Sequence, residues 1–205
     1  AASAAASGGV ANAEGKKVGF MVFDIGLDPF VSVMVDAVEQ EAAAKGMEIT
    51  TVNGKNDVNT QIAAVQQFVT DGVDAILLYP GDPTGIIPAV QQAADKGIPV
   101  FTVNLSLQEG APVVAYIGAD DYVYGQDQGQ MLVDALGDKG GNVGLLMGSL
   151  GTSAQIQRTA GIEDFLKDYP NIKIVEKQAD DWATDKSLAL VQNWTTKYPK
   201  GELAA

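Results

Sequence analysis

The chain has 205 residues, 46% of them hydrophobic, with 23 glycines spread between periodic segments, which is ordinary for a globular α/β protein with ample core. A net charge of −13 argues against a sequence-independent grip on nucleic acid and against anionic membrane surfaces, because both need clustered cations. Cysteine and histidine are both absent, which removes disulfides, thiolate chemistry, the commonest general base and the commonest metal ligand.

Residues 1–16 begin AASAAASGGVANAEG. They lack a charged n-region and a long apolar h-region, so they are not an intact signal peptide. They read as a flexible small-residue tether, of the kind that follows a removed export signal or a lipid anchor. No apolar run reaches the roughly 18 residues that span a bilayer.

From Lys17 onward, strand and helix patterns alternate. Val18 to Phe23 is a buried parallel strand by composition, and Phe30, Val31, Met34, Val35 and Val38 then recur at helical spacing. Pro29 suits the first turn of that helix and Gly46 its stop. Strands are expected at Ile49–Val52, Ala75–Tyr79 and Ile98–Val103, with helices over Asn59–Thr70 and Gly85–Lys96. The Ser106–Pro112 stretch breaks the pattern, and Val113–Ile117 reads as a strand leading into a second half. There, helices at Tyr122–Leu136, Ser153–Asp168 and Thr184–Lys197 alternate with strands at Val143–Met147 and Ile172–Glu176. Such alternation indicates βαβ units and a parallel sheet.

The chain also repeats itself. IAAVQQFVT at Ile62–Thr70 returns as LALVQNWTT at Leu188–Thr196, offset by 126. Val18-Gly19-Phe20 returns as Val143-Gly144-Leu145, and Met47-Glu48-Ile49 as Ile172-Lys173-Ile174, both offset by 125. Three landmarks in one register predict two similar α/β lobes, 17–104 and 118–205, joined by a hinge or crossover at 105–117. The second copy stops at Ala205, where its third strand is due, so the second lobe is expected to be incomplete and to hold only part of a binding site.

In open parallel sheets ligands sit beyond the carboxyl ends of the strands. The loops there carry Asp24, Asp28 and Phe30 after the first strand, Tyr79 after the third and Asn104 after the fourth. In the second half they carry the Gly151-Thr152-Ser153 turn and Asp180-Asp181-Trp182. Arg158, the one arginine beside twelve lysines, lies five residues into the helix after that turn. Its planar fork can donate to two ligand oxygens in a way lysine cannot. Aromatics, amides, hydroxyls and carboxylates together suit a polyhydroxy ligand. Each also has a plain structural reading: Phe30 as a core residue, Asp24, Asp28 and Thr152 as helix caps, Asn104 as a turn residue, and Arg158 as a surface partner of Glu163 or Asp164. Asp120-Asp121 reads as a solvated helix start.

No P-loop, G-x-G-x-x-G or G-x-S-x-G elbow is present, and neither Asp-Asp pair has an EF-hand frame. The sequence therefore predicts no enzyme, no cofactor and no metal.

DPF after the first strand, GTSAQIQR opening a second-half helix and DDW before the last helix resemble the ribose-binding type of periplasmic solute receptor. More broadly, they resemble the type I sugar-binding proteins that serve ABC transporters, and the resemblance covers Lys17 to Ala205. It implies two Rossmann-like lobes closing on a ligand. Phe30 and Trp182 would cover the two faces of the ring, and Arg158 would clamp hydroxyls. Asn104, Tyr79, Asp24, Asp28 and Thr152 would supply polar contacts. The family's frequent Asp-Arg pair after the fourth strand is here Asn104-Leu105, and Asp28 replaces a frequent asparagine. Those departures favour another aldose or a polyol over ribose, and a neutral ligand over an anion. The resemblance further implies a periplasmic or extracellular monomer that delivers its ligand to a membrane permease. Alternatives are a sugar-sensing receptor and the effector-binding core of a transcription regulator, though residues 1–16 hold no helix-turn-helix.

Overall fold

The computed structural model describes residues 13–205. The tether expected over 1–16 lies outside the described residues up to position 12. The first half runs β1 (Lys17–Val22), α1 (Pro29–Ala44), β2 (Glu48–Asn53), α2 (Val58–Asp71), β3 (Ala75–Tyr79), α3 (Ile87–Asp95), β4 (Val100–Val103) and β5 (Ala115–Ile117). Its strands form one parallel sheet in the order β2-β1-β3-β4-β5.

Successive side chains of a strand point to opposite faces, so β1 divides its apolar run between two cores. Met21 joins Val65 and Phe68 of α2 and Val90 of α3 on one face. Phe20 and Val22 meet Val31 and Val35 of α1 on the other. Each such side chain, fully buried, contributes roughly 1.5–3 kcal/mol. The α1 helix starts as its residues dictate: Asp28 Oδ1 accepts from the Val31 N–H at 3.0 Å, and Pro29 occupies the first turn.

The second half runs α4 (Asp121–Leu136), a 3-10 turn at Gly137–Lys139, β6 (Gly141–Leu146), α5 (Ser153–Leu166), β7 (Ile172–Gln178) and α6 (Thr184–Lys197). The β6 and β7 strands pair in parallel with a bulge between Val143 and Gly144. Val143, Ile162, Leu166 and Ile172 form their core. Leu203 bridges Asn142 in parallel, and the Gly144 N–H donates to the Ala205 carbonyl at 2.9 Å. These last residues run beside β6 as β3 runs beside β1.

The repeat extends to packing. A Cβ at Gly19 would fall 2.4 Å from the Phe68 ring, and a Cβ at Gly144 would fall 2.6 Å from the Trp194 ring. Gly19 and Phe68 are the offset partners of Gly144 and Trp194, so both halves seat an aromatic of the second helix on a strand glycine. The left-handed pair Lys55 (φ 53°) and Asn56 (φ 52°) likewise recurs as Asp181 (φ 53°) and Trp182 (φ 62°).

Among the boundaries that differ from expectation, three bear on the first sheet. The β4 strand begins at Val100 rather than Ile98, because Pro99 has no N–H for the ladder. The α3 helix begins at Ile87 rather than Gly85, because Asp82 Oδ1 accepts from the Thr84 and Gly85 N–H groups and holds a separate turn. The strand expected at Val113–Ile117 is Ala115–Ile117, and it pairs with β4 instead of leading away. The first sheet therefore extends into the segment expected as a hinge.

Candidate functional site

The ends of β3 and β4, the start of α1, the α4 and α5 helices and the loop after β7 surround a cleft of about 340 Å³. Asp28, Phe30, Tyr79, Asn104 and Leu105 line it from the first half, and Tyr124, Ala154, Arg158 and Trp182 from the second. The halves touch at its floor. Leu105, Ala154 and Trp182 share one apolar cluster, and the Ser106 N–H donates to Ser153 Oγ at 2.9 Å.

Phe30 sits in the first turn of α1 and is 57% exposed. Its ring lines the cleft and is exposed there, against the core reading that periodicity allowed. Asp28 lines the cleft and caps α1 at once. Tyr79, the last residue of β3, is buried with its ring edge-on to Phe23 at 5.0 Å. Asn104 adopts φ 60° directly after β4. Its Nδ2 donates to the Tyr79 hydroxyl at 2.8 Å, while its carbonyl accepts from the Tyr116 hydroxyl at 3.0 Å. Burial pushes the Tyr79 hydroxyl up to about 12, against the lowering effect of the Asn104 hydrogen bond. It is therefore a neutral hydroxyl at physiological pH.

Arg158 is not the partner of Glu163 or Asp164. Those carboxylates pair with Lys177 and Lys167. Arg158 Nε donates instead to Asp121 Oδ1 at 2.7 Å, and Asp121 is 2% exposed. The expectation of a solvated Asp120-Asp121 is thereby corrected: Asp120 caps α4 through the Tyr122 and Val123 N–H groups, and Asp121 turns inward. The guanidinium carbon lies 4.6 Å from the Tyr124 ring centre and 5.9 Å from that of Trp182, within cation–π range. Trp182 holds a left-handed φ that is costly for a bulky side chain. Asp180 supports it by accepting from the Trp182 N–H at 3.0 Å.

Two expected site residues lie elsewhere. Thr152 is buried as the cap of α5, its Oγ1 accepting from the Gln155 N–H and donating to the Ser149 carbonyl. Asp24 does not line the cleft, and accepts from the Gly26 N–H within its own turn. Tyr124, Leu105 and Ala154 line the cleft without having been expected there, and Asp121 stands behind Arg158. Tyr124 carries no local signal, since only the packing of α4 on α5 turns it to the cleft. Among the described residues no group of three or more acidic, His or Cys side chains is placed to hold a metal ion, and none of the described helices is long and apolar enough to cross a membrane.

A larger groove of about 510 Å³ between α1 and the first sheet is lined by apolar side chains and Glu41. It lacks the convergent polar groups that a hydroxylated ligand requires. The smaller cleft has them.

Comparison with known proteins shows what the chain is similar to. The family described as periplasmic binding protein domain matches residues 18–205. The chain is 34% identical over 188 residues to a xylitol-binding protein of Mycolicibacterium smegmatis, covering 92% of this chain and 53% of that one. It is 31% identical to a ribose import binding protein of Bacillus subtilis, covering 86% of this chain and 59% of the relative. A crystal structure of a galactofuranose-binding protein superposes with a TM-score of 0.83 at 29% identity, over 89% of this chain and 62% of that one. The chain thus spans somewhat more than half the length of these relatives.

Proposed function

Because the chain belongs to the periplasmic binding protein family, we propose that it captures a neutral monosaccharide or sugar alcohol in the cleft between its two halves. The observation that carries this reading is the composition of the cleft. Phe30 and Trp182 offer apolar ring faces, and Asn104, Tyr79, Asp28 and Arg158 offer donors and acceptors, with both halves contributing. A sugar presents the same alternation, apolar C–H faces edged by hydroxyls.

Capture works by differential contact. A ligand that touches only one half shifts no equilibrium, whereas one that bridges Phe30 and Asn104 to Arg158 and Trp182 stabilises the closed arrangement. With roughly 10–12 heavy atoms at about −0.7 to −1 kcal/mol each, such a ligand binds at micromolar to nanomolar concentrations. The closed form then docks on a membrane permease as an extracytoplasmic monomer. Binding without turnover fits a cleft with no His, no Cys and no P-loop or nucleophile elbow.

Calorimetry with xylitol, D-ribose, L-arabinose and myo-inositol tests the proposal. Saturable one-to-one binding of at least one, weakened about tenfold or more in Phe30→Ala, is expected. Failure of all of them to bind would sink it.

A further inference from the structure

We propose that Asp121 is the positioning residue of this cleft: its buried carboxylate fixes Arg158 through Nε, leaves the Nη groups for the ligand, and cancels the arginine's charge so that neutral polyols are preferred over their acids. The inference rests on the polyol-capture reading above.

The first argument is burial. A carboxylate 2% exposed is tolerable only with a strong partner, and its hydrogen bond is the 2.7 Å contact to Arg158 Nε. It is not serving as the helix cap, since Asp120 accepts from both first-turn N–H groups. The second argument is rigidity. A Cβ at Gly125 would fall 2.2 Å from the Arg158 carbonyl oxygen, and one at Gly161 would fall 2.1 Å from the Tyr122 carbonyl oxygen. The α4 and α5 helices therefore meet backbone to backbone at the pair. Asp121 thus holds an arginine whose own main chain is already seated against α4.

The third argument is the fork. A guanidinium carries five donors in one plane. Nε is committed to Asp121 and the ring of Tyr124 lies 4.6 Å from the guanidinium carbon, and both contacts restrain rotation about the terminal bonds. Arg158 itself lines the cleft. The fourth argument is charge. One carboxylate, Asp121, pairs with the guanidinium, and a second, Asp28, lines the same cleft. An anionic ligand meets no net positive potential there.

The chain has a single arginine, so its Nε–H gives one side-chain arginine resonance, which reads the contact without any ligand. In the wild-type protein this proton should exchange with water at least about tenfold more slowly than in free arginine, as for a buried charged hydrogen bond. Asp121→Ala should restore the free rate, and Asp121→Asn, which keeps an acceptor, should fall between. A wild-type rate equal to that of free arginine would overturn the positioning role. So would an unchanged rate in a folded Asp121→Ala.

Calorimetry with the matched pairs xylitol/xylonate and D-ribose/D-ribonate reads the charge role. In Asp121→Asn the preference for the neutral member should fall by about tenfold, the effect of unmasking one charge near a partly buried ligand. An unchanged ratio in that folded variant would refute it. If the wild-type protein binds none of the four, and neither L-arabinose nor myo-inositol, the polyol reading fails, and the exchange rates still decide whether Asp121 holds Arg158.

Discussion

The indole of Trp182 rests on the backbone of Gly148: a Cβ built at that glycine would fall 2.3 Å from the ring. Gly148 also has φ +69°, a conformation that only glycine adopts without penalty. Substitution Gly148→Ala should therefore displace Trp182 from the cleft as well as strain the loop. Overpacking and the left-handed backbone together should lower stability by about 2–3 kcal/mol. Chemical denaturation reads that loss, and a red shift of the Trp182 emission, isolated by comparison with a Trp182→Phe protein, reads the displacement.

Phe30 separates binding from folding. At 57% exposed it contributes little to the core, so Phe30→Ala should change stability by no more than about 0.5 kcal/mol. Loss of a ring face against a sugar should still weaken binding by about tenfold or more. Thermal unfolding and calorimetry on one preparation check both halves of this statement, and a large drop in melting temperature would contradict it.

The Tyr79 hydroxyl gives an alkaline signature. Its value of about 12 in the folded protein exceeds the ordinary 10, so the folded state holds the proton more tightly than the unfolded chain does. That stabilisation is complete below pH 10 and is lost as pH rises through 12, amounting to about 3 kcal/mol in all and about 2 kcal/mol between pH 9.5 and 11.5. Denaturant unfolding at pH 9.5 and 11.5 should show a fall in the wild type that is smaller by this amount in Tyr79→Phe. Equal falls in the two proteins would exclude the assignment.

The α4–α5 contact is open to a single methyl group. Gly125→Ala would drive a Cβ to 2.2 Å from the Arg158 carbonyl oxygen, which is backbone and cannot swing aside. The helices should separate, lowering stability by about 1–3 kcal/mol and speeding Arg158 Nε–H exchange. Unaltered exchange would show that the Asp121–Arg158 pair tolerates a looser crossing.

Much of the fold was legible because its signals are local and repeated. The apolar run at Phe20–Val22 calls for a sheet buried on both faces, Asp28-Pro29 starts a helix, and Gly19 and Phe68 recur as Gly144 and Trp194. Phe30, Asn104, Arg158 and Trp182 were legible as site candidates because loops at strand ends and the lone arginine mark themselves by position. Thr152 and Asp24 misled for the opposite reason. A hydroxyl or carboxylate before a helix looks the same in sequence whether it faces a ligand or its own backbone, and both face backbone.

The order of strands and helices, the two similar halves and the chemical character of the cleft were set by sequence alone, since periodicity, turn residues and repeats act over short range. The edge position of β5, the inward turn of Asp121 and the joining of Tyr124 and Leu105 to the site were decided only by tertiary structure. Each depends on which surface lies opposite. Whether a carboxylate points to water or to a guanidinium 37 positions away follows from how closely two helices approach, and that distance is set by the glycines between them.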